Sequence, residues 1–354
     1  MNIDNVSEIK AGDPQDMLQH ILALPDQLET AWKLGNQVSL GSGEGIRQVI
    51  VAGMGGSAIG ADLIEAYVKT ICSVPVVVHR DYGLPAWANG NHTLVIASSH
   101  SGNTEETLSA CDAALERKCR CIVISTGGAL KEKAEAAGSP VMQFVHIGQP
   151  RAAVGFSFGL LLAAFAGLHL IPDQENKLHG AVKEMRSQMR SLIPESQVKD
   201  NPAKRLAGQM LDRFPVIVGA DILTPVARRW KSQFNEVAKS WSQFDSLPEF
   251  DHNSLAGLDL PEKVLHQMVV VFLKADANTK GNQLRVDLSR QVMMKEGINT
   301  DIVTARGEND LEQIWSLVHL GDFTSYYLAC LSGSDPTPIP AISSLKQEMQ
   351  RARA

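Results

Sequence analysis

From Gln48 onward, short apolar runs alternate with longer stretches whose apolar positions recur every three or four residues. The runs are Gln48–Gly53, Val74–Arg80, His92–Ser99, Cys119–Thr126 and Pro140–Ile147. Continuous apolar runs of this length predict strands buried on both faces, with helices such as Ala58–Tyr67 and Glu105–Arg117 between them. Strands alternating with helices predict a parallel sheet covered on both sides. Upstream, Met17, Ile21, Leu24, Leu28 and Trp32 repeat at helical spacing. They predict one amphipathic helix over Asp13–Lys33, capped by Asp13 with Pro14 at its first position. The loop "GNQVSLGSGEGIR" separates that helix from the first strand.

The second half repeats this logic. Arg213–Phe234 echoes Arg47–Val68 as strand, glycine turn and helix. Further strands are expected at His266–Ala275 and Asn299–Gly307, with a helix over Gln283–Lys295 between them. Phe156–Leu170 is apolar all round, yet shorter than the ~20 residues that span a bilayer, and reads as a buried helix packed between domains. The C-terminal segment from Asp335 opens extended and punctuated by prolines, then closes as a helix. The pattern therefore predicts a helical N-terminal arm over 1–45 and two α/β domains in tandem, over 46–195 and 196–354. The second includes the C-terminal segment and helix.

A length of 354 residues suits two such domains. A net charge of −6 argues against a nucleic-acid or anionic-membrane partner, which would need a basic face. The N-terminus "MNIDNVSEIKAGDP" is polar and acidic, unlike a signal or transit peptide. The five cysteines are odd in number, and Cys119 with Cys121 has no second pair to complete a zinc site. Reduced thiols and a cytoplasmic setting are expected, and no metal-ligand constellation is visible.

The chemistry begins at "VIVAGMGGSAIGADL", Val49–Leu63. A glycine turn between strand and helix lets the backbone approach an anion at the helix N-terminus. Gly53, Gly55 and Ala58 fit G-x-G-x-x-A, but a dinucleotide site also expects an acid about 20 residues on. Asp81 lies beyond that distance. The second loop, "VIASSHSGNTEET" (Val95–Thr107), carries Ser98, Ser99, Ser101, Asn103, Thr104 and Thr107. Asn103 with Glu106 would already make a capping box. So many hydroxyls at one helix start suit a terminal phosphate, whose oxygens are all acceptors.

"GMGGSAIG" followed by "SSHSGNT" resembles the sugar isomerase (SIS) domain, a phosphosugar-binding α/β module. The resemblance implies a flavodoxin-like, parallel five-stranded fold, no dinucleotide cofactor, and a phosphate held by Gly56, Ser57, Ser99, Ser101 and Thr104. Further along, Thr224-Pro225 starts a helix whose apolar stripe is Val226, Trp230, Val237 and Trp241, with Glu236 off that stripe. Taken by itself, Glu236 reads as a solvated helical acid and Arg151 as one more surface charge. His252 reads as a turn histidine held by Asp251 or Asn253.

These residues gain meaning from a second resemblance. "FNEVAKSW" and "LPEFDHNSLAGL" are similar to the bifunctional phosphoglucose/phosphomannose isomerases, which carry two SIS domains. The likeness extends through "HRDYGLP", "QPRAA", "ARRWKSQFNE" and the tail "LSGSDPTPIPAISSLKQ". It implies that Glu236 moves a proton between C1 and C2 through a cis-enediol(ate) and that Arg151 offsets the enediolate charge. It also implies that His252, donated by the neighbouring subunit of a homodimer, and Lys346 assist ring opening. The substrates would be glucose 6-phosphate, fructose 6-phosphate and mannose 6-phosphate, with a tail threonine near Thr337 bearing on mannose acceptance. His100 stands where relatives often have an aromatic such as Tyr. Two other readings are a phosphosugar-binding regulator, which would need only the phosphate loops, and a nicotinamide-dependent dehydrogenase, which lacks its ribose acid.

Overall fold

The strand–helix alternation is realised as two parallel sheets in a computed structural model that describes residues 2–352. At the N-terminus lie α1 (Val6–Ala11), α2 (Met17–Leu22) and α3 (Leu24–Gly35). The single helix expected over Asp13–Lys33 is thus two, with a break at Ala23. Asp13 does cap, but from outside the helix: its carboxylate accepts the Met17 and Leu18 amides, each at 2.9 Å. The apolar stripe holds, since Met17, Ile21, Leu24, Leu28 and Trp32 are all buried.

The first sheet follows as β1 (Gln48–Ala52), α4 (Gly55–Val68), β2 (Val76–His79), β3 (Thr93–Ser99), α5 (Glu105–Glu116), β4 (Arg120–Ser125), α6 (Gly128–Ala136) and β5 (Val141–Gln143). Its order is β2-β1-β3-β4-β5, all parallel, the flavodoxin-like arrangement. Ala52 pairs with Ala97, so the carboxyl ends of β1 and β3 lie side by side where the strand order reverses. Ligands of open α/β sheets bind at such a switch point.

Next come α7 (Val154–Gly167), α8 (Glu175–Leu192) and α9 (Pro202–Met210). With the turn before it, α7 forms an 18-residue apolar segment, Pro150–Gly167, long enough to cross a membrane but 83% buried inside the protein. The second sheet comprises β6 (Phe214–Ala220), α10 (Thr224–Glu236), β7 (Gln243–Leu247), the short helices α11 (Phe250–Asn253) and α12 (Glu262–Leu265), β8 (Met268–Lys274), α13 (Lys280–Lys295) and β9 (Asn299–Thr304). Its order is β7-β6-β8-β9, parallel and four-stranded, one strand short of the implied five. The chain closes with α14 (Asp310–Ser332) and α15 (Pro340–Arg351).

Helix α10 stops at Glu236, so Trp241 is not part of its stripe and is 72% exposed. Val226, Trp230 and Val237 are buried as expected. Between the sheets, Leu28 of α3, Leu161 of α7, Trp230 of α10 and Trp315 of α14 share one hydrophobic cluster with Val51 and Ile217 of the central strands. Phe158 meets Trp315 edge to face at 5.2 Å. This shared core fixes α10 and the turn before α7 against the first sheet, and both carry residues of the site.

Candidate active site

Two helices begin at the switch point of the first sheet. Neither α4 nor α5 has a side-chain hydrogen bond from its N-cap residue, so neither helix start is closed by a side-chain cap, and helix starts of this kind suit an anion. The capping box expected of Asn103 and Glu106 is not formed, because Asn103 Oδ1 accepts the Ala129 amide at 3.1 Å instead. Ser99 Oγ and Thr104 Oγ1 are 2.9 Å apart, and Ser99 Oγ also accepts the Gly102 amide at 3.1 Å. Ser57 is buried at the start of α4, where its carbonyl accepts the Ser157 hydroxyl of α7 at 3.2 Å. Ser101 is exposed, and its Oγ accepts the Asn103 amide at 3.2 Å.

Gly56 joins this loop to the next group. A Cβ there would lie 2.6 Å from the Pro150 carbonyl oxygen and 3.1 Å from the Arg151 nitrogen. Only glycine allows so close an approach. Arg151, in the turn before α7, has a side chain only 3% exposed, and Nη1 lies 3.7 Å from Glu236 Oε2. Nη2 donates to the carbonyls of Pro336 at 3.0 Å and Thr337 at 2.5 Å. Burial pulls the Arg151 proton affinity below that of an ordinary guanidinium, and the Glu236 charge opposes that shift. Its backbone is held as well. Arg229 Nη2 donates to the Arg151 carbonyl at 3.2 Å, and Arg229 is itself paired with the buried Asp322 of α14 (Nε–Oδ1 3.0 Å, Nη2–Oδ2 2.5 Å).

Two polar atoms here are buried without a partner: Arg151 Nε and Thr337 Oγ1. Buried groups of this kind are normally satisfied, so a pair of them beside an ion pair marks a place for a polar ligand. Lys239 flanks the same spot, with Nζ 2.6 Å from the Glu236 carbonyl and 3.3 Å from that of Pro336. Burial chiefly, and then the Arg151 charge, lowers its pKa to about 8.

His252 and Lys346 are not brought to this cluster. Both are exposed, on α11 and α15. The reading of His252 as a turn histidine fails: Asp251 is tied to Arg285 at 2.7 Å and Ser289 at 2.6 Å, and Asn253 to Glu249 at 2.9 Å. Arg151 is not a surface charge, nor is Glu236 a freely solvated acid, its side chain being 28% exposed. His100 is drawn inward: its Nε2 lies 2.9 Å from His146 Nδ1, and burial lowers its pKa. Lys239, Arg229, Asp322 and His146 were not singled out in the sequence. Lys239 and Arg229 lie inside "FNEVAKSW" and "ARRWKSQFNE", the segments that carried the resemblance.

Comparison with known proteins places the chain in a family. Residues 199–349 match the family described as the bacterial phospho-glucose isomerase C-terminal SIS domain. The chain is 38% identical over 335 residues to a bifunctional phosphoglucose/phosphomannose isomerase of Caldicellulosiruptor bescii, covering 94% of this chain and 98% of that protein. It is 31% identical over 302 residues to the protein of the same name from Thermoplasma acidophilum, covering 85% and 89%. A glucose-6-phosphate isomerase-like protein from Thermus thermophilus shares the fold at a TM-score of 0.62 and 21% identity, over 98% of this chain and 99% of that one. Two uncapped helix starts lined with hydroxyls, set against a buried arginine and a carboxylate, thus occur in a chain that belongs to the bifunctional phosphoglucose/phosphomannose isomerase family.

Proposed function

We propose that this protein interconverts fructose 6-phosphate with glucose 6-phosphate and mannose 6-phosphate. The sugar phosphate is held by the Gly56 N–H and by the hydroxyls of Ser57, Ser99, Ser101 and Thr104, the Ser57 N–H being taken by the Met54 carbonyl at 3.1 Å. This anchoring directs the other end of the sugar toward Arg151, because Gly56 abuts Pro150 and Arg151. Glu236 takes the proton next to the carbonyl and returns it to the neighbouring carbon, so that a cis-enediolate lies between aldose and ketose. Arg151, already charged and fixed, stabilises the oxygen on which negative charge develops. The observation that carries this reading is the pair of buried Arg151 with partly exposed Glu236 at 3.7 Å, beside the unpartnered Arg151 Nε and Thr337 Oγ1.

His252 and Lys346 would assist ring opening, and their exposed positions fit groups that act across a subunit boundary. Apolar stripes stand exposed on α13 (Leu284, Leu288, Val292) and on α15 (Ile342, Leu345, Met349), which favours a homodimer. A regulator would need the phosphate loops alone, whereas here the Asp322–Arg229 pair is spent on holding the Arg151 backbone.

The test is fructose 6-phosphate turnover by the purified protein, with the two aldose phosphates quantified separately, beside Glu236→Gln. Both products are expected, with kcat reduced at least about a hundredfold in the variant. Binding without turnover in the wild type would replace the isomerase by a phosphosugar sensor.

A further inference from the structure

We infer that Lys239 is a positioning residue of this site: its ammonium clamps the Asp335–Thr337 segment to the carboxyl end of α10 and thereby keeps Arg151 and Glu236 in register. The inference rests on the isomerase reading and deepens it.

Helix α10 ends at Glu236, whose carbonyl belongs to the last turn and has no partner further along the helix. Val237 and Ala238 remain buried, and Lys239 then adopts a left-handed backbone with φ of 57°. A side chain with a Cβ takes that conformation at a cost, which surrounding structure must hold in place. Here it folds the lysine back over the helix end, where Nζ donates to the Glu236 carbonyl at 2.6 Å. A cation at this end of a helix also complements its dipole.

The same ammonium reaches the Pro336 carbonyl at 3.3 Å, and that carbonyl accepts Arg151 Nη2 at 3.0 Å. One carbonyl oxygen is therefore shared by two cations that arrive from different elements, the turn before α7 and the end of α10. Arg151 continues to the Thr337 carbonyl, and the Thr337 amide is fixed by Asp335 Oδ1 at 2.9 Å. Among the described residues, the Glu236 carboxylate has no hydrogen bond and only Arg151 as an ion-pair partner. Its position thus depends on where the end of α10 is held, and Lys239 is the link from that end to the segment Arg151 grips.

The charged groups around the ammonium are Arg151, which repels it, and Asp335 and Glu236, which attract it. Burial and Arg151 prevail, so the proton is held less tightly than in an ordinary lysine, to about pH 8. Above that pH the clamp loses its charge while the phosphate loop keeps its hydroxyls. Contacts to two backbone carbonyls make Lys239 a holder of geometry rather than a group that meets the sugar.

The experiment measures kcat and KM for fructose 6-phosphate between about pH 6 and 10 for wild type, Lys239→Arg and Lys239→Met. It is paired with an NMR titration of protein labelled at the lysine side-chain carbons. Wild-type kcat is expected to fall with an alkaline midpoint near pH 8. Lys239→Arg should keep kcat within about fivefold and move that midpoint up by at least about one pH unit, since guanidinium stays charged. Lys239→Met should lose about tenfold or more in kcat with KM changed less than about threefold. Lys239→Arg with an unmoved midpoint, or Lys239→Met at wild-type kcat, overturns the clamp. Should Lys239→Met not fold, the arginine variant still decides. The titration stands apart from activity. A lysine resonance with a midpoint near pH 8, absent from Lys239→Arg, supports the clamp even if the protein turns over no hexose phosphate. An ordinary lysine midpoint for Lys239 overturns it even if the isomerase reading survives.

Discussion

Thr337 has a hydroxyl that the fold buries and does not use. The residue is 6% exposed, its carbonyl accepts the Arg151 guanidinium, and Oγ1 has no partner. A buried donor or acceptor left unpaired costs about 1–3 kcal/mol, so replacing it by an apolar group of the same shape should not harm the folded state. Glucose and mannose phosphates differ at C2, the carbon where Glu236 is proposed to act. In the proposed reaction the sugar's reacting end lies against Arg151, and there the Thr337 hydroxyl would favour one epimer over the other. Thr337→Val is therefore expected to leave the melting temperature unchanged or slightly raised while shifting the mannose-to-glucose product ratio about fivefold or more. An unchanged ratio at unchanged stability removes Thr337 from specificity.

At the scale of elements, the two domains spend the same turn differently. In the echo between Arg47–Val68 and Arg213–Phe234, Gly55 corresponds to Asp221, and both have φ of 50°. Aspartate tolerates this left-handed position better than most residues. Its carboxylate points to the start of α13, accepting the Thr279 amide at 2.8 Å and Asn282 Nδ2 at 2.9 Å. Where α5 starts without a side-chain cap, α13 has a built-in anion. One phosphosugar per chain is thus expected by calorimetry. Asp221→Ala should cost about 1–3 kcal/mol in urea unfolding through the lost cap and the strained turn, with kcat unaffected. A kcat loss as large as that of Glu236→Gln would instead put the second turn in the chemistry.

The same scale explains what the sequence revealed. Strands β1, β3 and β4 are buried on both faces and read as unbroken apolar runs. Strand β7, "QFDSL", lies at an edge and is only partly buried, so it carries no such run. Helix α14 is buried on nearly every side, yet holds Ser316, His319, Asp322, Thr324 and Ser325 inside. Three of these hydroxyls bond back to carbonyls of their own helix, which satisfies them and erases the amphipathic stripe. The two candidate phosphate loops stood out because glycines and hydroxyls cluster at two helix starts. Arg151 and Glu236 were legible only through resemblance, since 85 residues of chain separate side chains that tertiary packing brings together. Lys239 escaped because nothing local announces a left-handed lysine.

For the whole molecule, burial and assembly set the limits of its working range. His319 is fully buried, its Nε2 3.0 Å from the Ile21 carbonyl, and its pKa is lowered to about 4 chiefly by burial. His146, under the phosphate loop, is also lowered to about 4. An unfolded chain with ordinary histidines, near pKa 6.5, binds these protons first. Stability is therefore complete above about pH 6.5 and lost as pH falls toward 4, at about 1.4 kcal/mol per pH unit for His319 alone. Thermal unfolding of His319→Gln should show a shallower decline over that window than wild type, and an equal slope would exclude His319 as the source. Assembly makes a sharper demand, because His252 stands apart from Arg151 and Glu236 within one chain while apolar stripes on α13 and α15 remain uncovered. If the partner subunit supplies this histidine, His252→Ala and Glu236→Gln fall together in one site of a mixed dimer and leave the other untouched. One of its two sites then keeps both residues. Random reassociation makes about half the dimers mixed, each with one intact site, so two inactive variants combined should regain about a quarter of wild-type activity. If each chain uses its own His252, every site in the mixture lacks one of the two residues. Activity then stays at the sum of the separate variants, and the shared site falls.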